Sequence, residues 1–204
     1  MYLAVGMVDF SEYMKNVVVI AGPSGSGKNA IMNELLKRFS KTERLVTATT
    51  RSPRAGEVDG VDYHFFTQER FDEEMGKGNI PEHRFVPALQ TSYGIYKPDL
   101  DKKLAAGKIV VTQVDIEGAR YLKSAYQACT FFIMPESLEQ FKGRLRARNP
   151  EWSQKEFDER MKITENELRV HAPEYDHRVV NGDGALSETV DTVIEILRGE
   201  GYTL

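Results

Sequence analysis

A glycine-rich stretch, GPSGSGKNA over residues 22–30, directly follows the apolar run NVVVIA. Gly22, Gly27 and Lys28 fit the pattern G-x-x-x-x-G-K, in which glycines let backbone N–H groups converge on an anion without obstruction by a Cβ atom. The helical spacing of AIMNELLKRF would direct the positive end of a helix at the same point. Glycine-rich turns also join strands to helices without any ligand. Strand, loop, lysine and helix in this order nevertheless predict a nucleotide-phosphate site, with Lys28 reaching the β- and γ-phosphates.

Asn29 and Ala30 stand where such loops usually continue with a Ser or Thr whose hydroxyl contacts Mg²⁺. The Asn29 side-chain oxygen is a neutral hard donor that can contact the ion directly or through water. Mg²⁺ keeps several waters and takes ligands from the nucleotide itself, so the loop residue is one contact among several. We expect a working metal site in which Asn29 takes part; the alternative is that Asn29 only begins the helix.

A second cluster of anion-binding side chains lies in TATTRSPRAGEVDGVDY. Arg51 and Arg54 flank a proline turn, and two guanidinium groups can clamp one phosphate bidentately. Tyr63 adds a hydroxyl donor. A solvated loop with incidental charges is the alternative for this segment alone. Two anion sites on one chain, however, predict a donor phosphate and an acceptor phosphate held facing each other.

The elements that position these residues alternate along the chain, which predicts an α/β fold with a mainly parallel sheet covered by helices on both faces. The predicted strands are NVVVIAG, RLVTATT, KIVVTQVD, ACTFFIMP and HRVVNGD, with a further short strand end at DYHFF. The predicted helices are AIMNELLKRF, TQERFDEEMGKG with Thr67 as N-cap, KPDLDKKLAAG ended by Gly107, IEGARYLKSAY, SLEQFKGRLRAR with Ser137 as N-cap, SQKEFDERMKITENELRVH and LSETVDTVIEILRGE. The segment between the second and third helices is predicted to be irregular.

The amino-acid composition and net charge of the chain argue against some classes of binding partner. The chain has 204 residues, a net charge of −4 and a pI near 5.7, which argue against a nucleic-acid-binding surface. Its single cysteine, Cys129, is predicted to be a buried core residue and fits a reducing compartment. The apolar start MYLAVGMV lacks a basic leading segment, and no run reaches the ~20 residues of a membrane helix. We therefore expect a cytoplasmic protein without membrane or nucleic-acid partners, in which residues 1–15 form an N-terminal extension.

The stretch TTRSPRAGEVDGVDYHF, together with GPSGSGKN, closely resembles the guanylate kinase family of nucleoside monophosphate kinases. The resemblance continues over QVDIEGA, the region of Arg148 and Arg160, and VVNGD, and so spans residues 16–198. It implies a P-loop NTPase-type core that uses ATP and Mg²⁺ to phosphorylate GMP, and dGMP, to the diphosphate. It also implies a division of the chain into a core (16–46, 98–140 and 161–204), a GMP-binding subdomain (47–97) and a helical lid (141–160).

The resemblance also assigns site residues. The ATP phosphates would be held by Gly22, Ser24, Gly25, Ser26, Gly27, Lys28 and Asn29, with Asn181 near the adenine. The GMP phosphate would be held by Arg51, Arg54, Tyr63 and Tyr93, while Thr47, Glu57, Glu82 and Asp115 face the rest of the acceptor. Lys28, Arg51, Arg148 and Arg160 would neutralise the transferring phosphoryl group. Asp115 would also lie near the metal, bound through water.

The sequence departs from the family pattern in the base-reading region. An apparent short insertion separates Glu82 from Tyr93, and Ile95 stands where a base-contacting hydroxyl is expected, with Thr91 or Ser92 as possible substitutes. Gln113 replaces a common acidic residue before Asp115. Two other functions therefore stay open: a non-catalytic guanylate-kinase-like binding module, and a kinase of this fold with another monophosphate acceptor. The expected partners are ATP and GMP, and the expected assembly is a monomer or homodimer.

Overall fold

The computed structural model describes residues 15–204, and the predicted N-terminal extension lies outside these residues except for Lys15. The first strand is β1 (Val17–Ala21), in which all five residues are buried. The other strands are β2 (Thr42–Arg44), β3 (Ala48–Thr49), β4 (His64–Phe65), β5 (His83–Val86), β6 (Thr91–Gly94), β7 (Ile109–Thr112), β8 (Cys129–Pro135) and β9 (His177–Asn181). The helices are α1 (Lys28–Arg38), α2 (Gln68–Gly76), α3 (Lys97–Ala105), α4 (Ile116–Tyr126), α5 (Leu138–Arg148), α6 (Gln154–Asn166) and α7 (Leu186–Gly199).

The main sheet has five parallel strands in the order β2-β7-β1-β8-β9. Side chains alternate across β1, so Val18 and Ile20 pack with α1 and α7, whereas Val17 and Val19 pack with α3 and α4. Two hydrophobic cores therefore cover the two faces of the sheet. This confirms the predicted α/β architecture, and it places the loops after the strands at the carboxyl edge, where open α/β sheets bind ligands.

A second sheet was not predicted. It has four strands in the order β4-β3-β6-β5, and β5 pairs with β6 as an antiparallel hairpin. The segment predicted to be irregular contains this hairpin. Likewise, the single strand predicted over residues 44–50 is wrong: β2 ends at Arg44 in the main sheet, and β3 begins at Ala48 in the second. An apolar run does not say which sheet its residues join, because pairing depends on partners that are distant in sequence.

The other predicted elements agree closely with the structure. Thr67 and Ser137 cap α2 and α5 by accepting hydrogen bonds from the N–H groups of Arg70 and Gln140. Gly107 has a φ of +71° directly after the end of α3, a conformation that favours glycine. Cys129 is buried, as predicted, and burial raises the pKa of its thiol to about 12. The long helix predicted up to His171 changes winding after α6 and continues as a π-helical turn over Glu167–His171.

Candidate functional site

The glycine-rich loop after β1 is shaped by backbone conformations that only glycine adopts readily. Gly22, Gly25 and Gly27 have φ values of 144°, 96° and 91°. A Cβ atom on Gly22 would lie 2.7 Å from the Ile133 carbonyl oxygen. Gly27 directly precedes α1, so the free N–H groups of the first helical turn face the loop. The loop therefore has the form of an anion cradle.

A buried asparagine holds this loop by a hydrogen bond to its backbone. The Asn181 side-chain amide, at the end of β9, donates a 2.8 Å hydrogen bond to the Ser26 carbonyl. Its oxygen accepts a hydrogen bond from the Thr189 hydroxyl at 3.1 Å. A Cβ atom on Gly27 would lie 2.2 Å from the Asn181 amide nitrogen, so glycine is needed for this close approach. The structure thus places Asn181 against the loop; its predicted contact with adenine stays a prediction.

Lys28 lies close to one negatively charged and one positively charged side chain. Its ammonium donates to the Pro23 carbonyl within the loop at 3.2 Å. Burial lowers the pKa of Lys28, the carboxylate of Glu167 counteracts this effect, and Arg148 adds to it. The loop lysine is therefore close to a cation contributed by α5 and to a carboxylate in the π-helical turn.

Arg51 is held in one conformation by the turn that contains it, which we call the arginine turn (residues 51–57). Its guanidinium donates to both carboxylate oxygens of Glu57, at 2.7 and 2.9 Å. The backbone N–H of Arg54 donates to the same carboxylate at 2.7 Å. These hydrogen bonds lower the pKa of Glu57 to about 2, so the pair stays ionised. Glu57 therefore holds Arg51 and shapes the turn, while the Arg54 side chain is exposed.

Two tyrosines connect the arginine turn to a cavity. The Arg51 guanidinium lies 5.3 Å from the centre of the Tyr63 ring, and it also interacts with the Tyr93 hydroxyl. Tyr63 and Tyr93 contact each other edge to face, with ring centres 5.9 Å apart. Both line a cavity of about 480 Å³, which we call the shared cavity. Arg51 therefore lies beside this cavity and is fixed in place from two sides.

The shared cavity brings together residues predicted for both phosphates and for the acceptor base. The predicted site residues that line it are Gly22, Ser24, Lys28, Thr47, Tyr63, Glu82, Tyr93 and Asp115. They come from the loop after β1, the start of α1, the second sheet with the residues that directly precede its strands, and the segment after β7, which are far apart in sequence. The loop lysine and the acceptor residues therefore open onto one space.

Acidic groups determine the electrostatics at the base end of the cavity. Burial, followed by the charges of Asp115 and Glu117, raises the pKa of Glu82 to about 7. Asp115 caps α4 by accepting a 3.1 Å hydrogen bond from the Gly118 N–H. Its second oxygen lies 3.3 Å from Arg84 Nη1. The Glu82 carboxylate is therefore costly to ionise unless a bound group donates hydrogen bonds to it.

The predicted lid arginines lie over the phosphate loop. Arg148 and Arg160, from α5 and α6, line a cavity of about 230 Å³ together with Ser24 and Trp152. Arg160 lies 5.6 Å from the centre of the Trp152 ring. The two helices share a small hydrophobic core formed by Phe141, Leu145, Phe157 and Met161. This packing lets α5 and α6 carry their arginines as one unit.

Two residues that line the cavities were not predicted from the sequence. Glu167 lines the shared cavity and the lid cavity, and burial raises its pKa. Arg84 lines the shared cavity from β5. Neither belongs to a local motif: Glu167 lies within a charge-rich helical run, and Arg84 lies in the hairpin that was predicted to be irregular. The segment EHRFV shows no alternation of polar and apolar residues, so hydrophobic periodicity gave no signal for a strand at Arg84.

Asn29 and Asp115 were predicted to hold a metal ion. Asp115 lines the shared cavity with Lys28, whereas Asn29 is exposed in the first turn of α1. Within residues 15–204, no group of three or more His, Cys, Asp or Glu side chains is arranged to hold a metal. A carboxylate and an amide oxygen are ligand types that suit an ion whose remaining ligands are nucleotide phosphates and water, and the metal role of both residues stays a prediction.

Comparison with known proteins gives a consistent result over nearly the whole chain. The sequence model of the family described as Guanylate kinase matches residues 14–200. A guanylate kinase from Chlorobaculum tepidum is 37% identical over 179 residues, covering 87% of this chain and 89% of the relative. One from Synechocystis sp. is 34% identical over 193 residues, covering 94% and 98%.

A solved structure agrees with these relatives. The crystal structure of guanylate kinase from Anaplasma phagocytophilum is similar to this chain with a TM-score of 0.69 and 28% sequence identity. The match covers 94% of this chain and 89% of that structure. The sequence comparisons and the fold comparison therefore indicate the same family.

Proposed function

The chain belongs to the guanylate kinase family and converts GMP to GDP with ATP; we propose how its residues divide this reaction. The observation that carries the proposal is the shared cavity, in which Lys28 of the phosphate loop faces the acceptor-side residues Tyr63, Tyr93 and Glu82. In this arrangement, a phosphate bound by the loop and a phosphate bound on the acceptor side can come into contact.

The donor end binds ATP mainly through backbone groups. The loop over Gly22, Ser24, Gly25, Ser26 and Gly27 surrounds the phosphates with N–H groups, and the positive end of α1 adds to the attraction. Lys28 neutralises the β- and γ-phosphates, as in other loops of this pattern. Asn181 supports the loop, and the adenine lies on the same side.

The acceptor end binds GMP through side chains. Arg51, fixed by Glu57, and Arg54 hold the phosphate of GMP, with the hydroxyls of Tyr63 and Tyr93 as further donors. Thr47, Glu82 and Asp115 face the base. Guanine offers N1–H and the N2 amine as adjacent donors, which one carboxylate accepts together. Adenine has no such pair and would leave the carboxylate of Glu82 buried without a partner.

The transfer needs no general base, because the acceptor phosphate is already anionic. A phosphate oxygen of GMP forms a bond to the γ-phosphorus while the bond to the β–γ bridging oxygen breaks, and ADP leaves with the electron pair. Lys28 and Arg51 neutralise charge on the phosphoryl oxygens. Arg148 and Arg160 approach from α5 and α6, whose closure excludes water and so prevents hydrolysis of ATP.

A Mg²⁺ ion bound with ATP would supply further neutralisation of the phosphate charge. We propose that Asp115, through water, and Asn29 hold it on the protein side.

We further propose the division into core, GMP-binding subdomain at 47–97 and lid at 141–160, since the second sheet and the α5–α6 pair each have a core of their own. In residues 15–204 no helix combines the length and apolar character that crossing a membrane requires. The cytoplasmic location and the monomeric or homodimeric state stay predictions.

A coupled assay that follows ADP formation from ATP with a panel of nucleoside monophosphates, with and without Mg²⁺, tests the proposal. We expect turnover with GMP and dGMP only in the presence of the metal. Tight GMP binding without turnover would indicate a binding module instead. Turnover of another acceptor at a higher kcat/KM than GMP would reassign the substrate.

A further inference from the structure

The β5–β6 hairpin presents two rows of side chains to the shared cavity. Glu82, Arg84 and Val86 alternate along the first strand and all line the cavity, as expected for one face of a strand. On the partner strand, Tyr93 pairs with Arg84, and the Ile95 N–H donates to the Glu82 carbonyl at 3.0 Å. Arg84 is thus the cavity-facing neighbour of both Glu82 and Tyr93.

Ile95 leaves the strand position beside Glu82 without a hydroxyl. It lines the cavity opposite Glu82, is 1% exposed and offers only apolar surface. The hydroxyl residues of the same strand do not replace it. Thr91 Oγ1 donates to the Leu89 carbonyl at 2.9 Å. Ser92, next to Tyr93 in the strand, has its side chain on the opposite face.

When they are ionised, Glu82 and Asp115 accept hydrogen bonds but cannot donate them. Guanine also has two acceptors, O6 and N7, on its other edge. Arg84 is the cation of the cavity on this hairpin. Its side chain is 66% exposed, and its ion pair with Asp115, at 3.3 Å, involves one of its three nitrogen atoms. A guanidinium carries five N–H donors in a planar fork, and that fork matches O6 and N7 of guanine bidentately.

We propose that Arg84 is a specificity-determining residue that donates to O6 and N7 of the guanine of GMP, in the place of the hydroxyl that Ile95 lacks. Glu82 then reads the donor edge of the base and Arg84 reads the acceptor edge. The exocyclic amine of adenine would meet the guanidinium donor to donor, which adds a second reason for rejection. This inference rests on the proposed function, since it concerns the same acceptor site.

The test compares GMP with 7-deaza-GMP, in which C–H replaces N7, using wild type and Arg84→Ala. For wild type we expect kcat/KM to be about tenfold lower with the analogue, because one of two donors loses its acceptor. Arg84→Ala should lower kcat/KM for GMP by about tenfold to a hundredfold. It should also make GMP and 7-deaza-GMP equivalent, and this loss of discrimination is what a purely structural role would not produce.

Three controls sharpen the result. Phe85→Ala changes the adjacent residue, which is 49% exposed on the opposite side of β5, and should keep wild-type discrimination. Arg84→Lys keeps the positive charge near Asp115 but replaces the planar fork with a single ammonium, so it should discriminate better than Arg84→Ala and less well than wild type. The preference for GMP over IMP, which lacks the N2 amine, should persist in all variants because Glu82 reads that amine.

Two results would overturn the inference. Arg84→Ala could lower kcat/KM equally for GMP and 7-deaza-GMP, which would mean that Arg84 acts through Asp115 or the phosphate. Alternatively, wild type could use GMP and 7-deaza-GMP equally well, which would mean that no donor of Arg84 reaches N7. The proposed function fails separately, by absence of GDP formation in wild type. Thermal melting of each variant confirms that the compared proteins are folded.

Discussion

The phosphate loop and the arginine turn are the two proposed anion sites, and they are assembled in different ways. The loop is one continuous segment that is proposed to bind its anion through backbone N–H groups, and the Asn181 side chain donates a hydrogen bond to its Ser26 carbonyl. The arginine turn presents side chains. Arg51 depends on Glu57 from its own turn, on Tyr63 from directly before β4, and on Tyr93 from β6. A backbone site tolerates exchange of side chains, whereas a side-chain site does not.

Arg51→Ala is therefore expected to have the largest effect. It removes a positively charged clamp from the acceptor phosphate and leaves the Glu57 carboxylate without its bidentate partner. We expect a decrease in kcat/KM of about 10²–10³, as for loss of a preorganised donor to a transition-state charge. The coupled assay with GMP measures this. Arg178→Ala, which changes an exposed arginine on β9, is the control. Near wild-type rates for Arg51→Ala would show that the acceptor phosphate binds elsewhere.

The acceptor side should also be the pH-sensitive side, because Glu82 has its pKa raised to about 7. Ionised Glu82 accepts the guanine donors, so GMP affinity should be about tenfold weaker at pH 6 than at pH 8. Calorimetric titration with GMP measures the affinity. Glu82→Gln should flatten this profile between the two pH values, and ATP affinity should vary less over the same range. A pH-independent GMP affinity in wild type would contradict the assigned role of Glu82.

The same raised pKa has a consequence for stability in the absence of nucleotide. Folding favours protonated Glu82, so its contribution to the free energy of unfolding is fully present below pH 4.5 and is lost as pH rises through about 7. Glu82→Gln should therefore gain stability relative to wild type at pH 8 but not at pH 4. Urea denaturation at the two pH values measures the difference.

The two sites also differ in how far the sequence predicted them. The phosphate loop, its strand and α1 are contiguous, so glycine spacing and helical periodicity were sufficient. The arginine turn was identified from its residues, but the sheet that positions it was not. Strands β3 and β4 have only two residues each. They pair with each other, and the register of β3 also depends on β6, more than 40 positions further along. Arg84 and Glu167 were missed for the same reason: only the tertiary structure brings them to the cavity.

Asn181 is the exception on the donor side, a single side chain on which the backbone site depends. Asn181→Asp keeps the shape but cannot donate to the Ser26 carbonyl. We expect a loss of about 1–3 kcal/mol in the free energy of unfolding, the cost of an unsatisfied buried acceptor. KM for ATP should rise about fivefold, the equivalent of roughly 1 kcal/mol. KM for GMP should not change. Urea denaturation and steady-state kinetics measure these values.

The control for this variant is Asn33→Asp, at an exposed asparagine of α1. It introduces the same charge near the same helix without touching the loop, so it should leave both KM values close to wild type. If KM for GMP rose as much as KM for ATP in Asn181→Asp, the support of the loop would not be specific to the donor site.

Asn29→Ser should have the smallest effect, and it tests the tolerance of a backbone site directly. The N–H group of residue 29 is kept, so phosphate binding should persist. The new hydroxyl is the usual Mg²⁺ contact of such loops, while the ion takes most of its ligands from phosphate and water. We expect the Mg²⁺ concentration for half-maximal activity to stay the same or fall about twofold. Asn29→Ala, which has no oxygen, is the matched comparison. A clear rise in that concentration for Asn29→Ser would show that the amide makes a contact that a hydroxyl cannot, so that even the donor loop depends on one particular side chain.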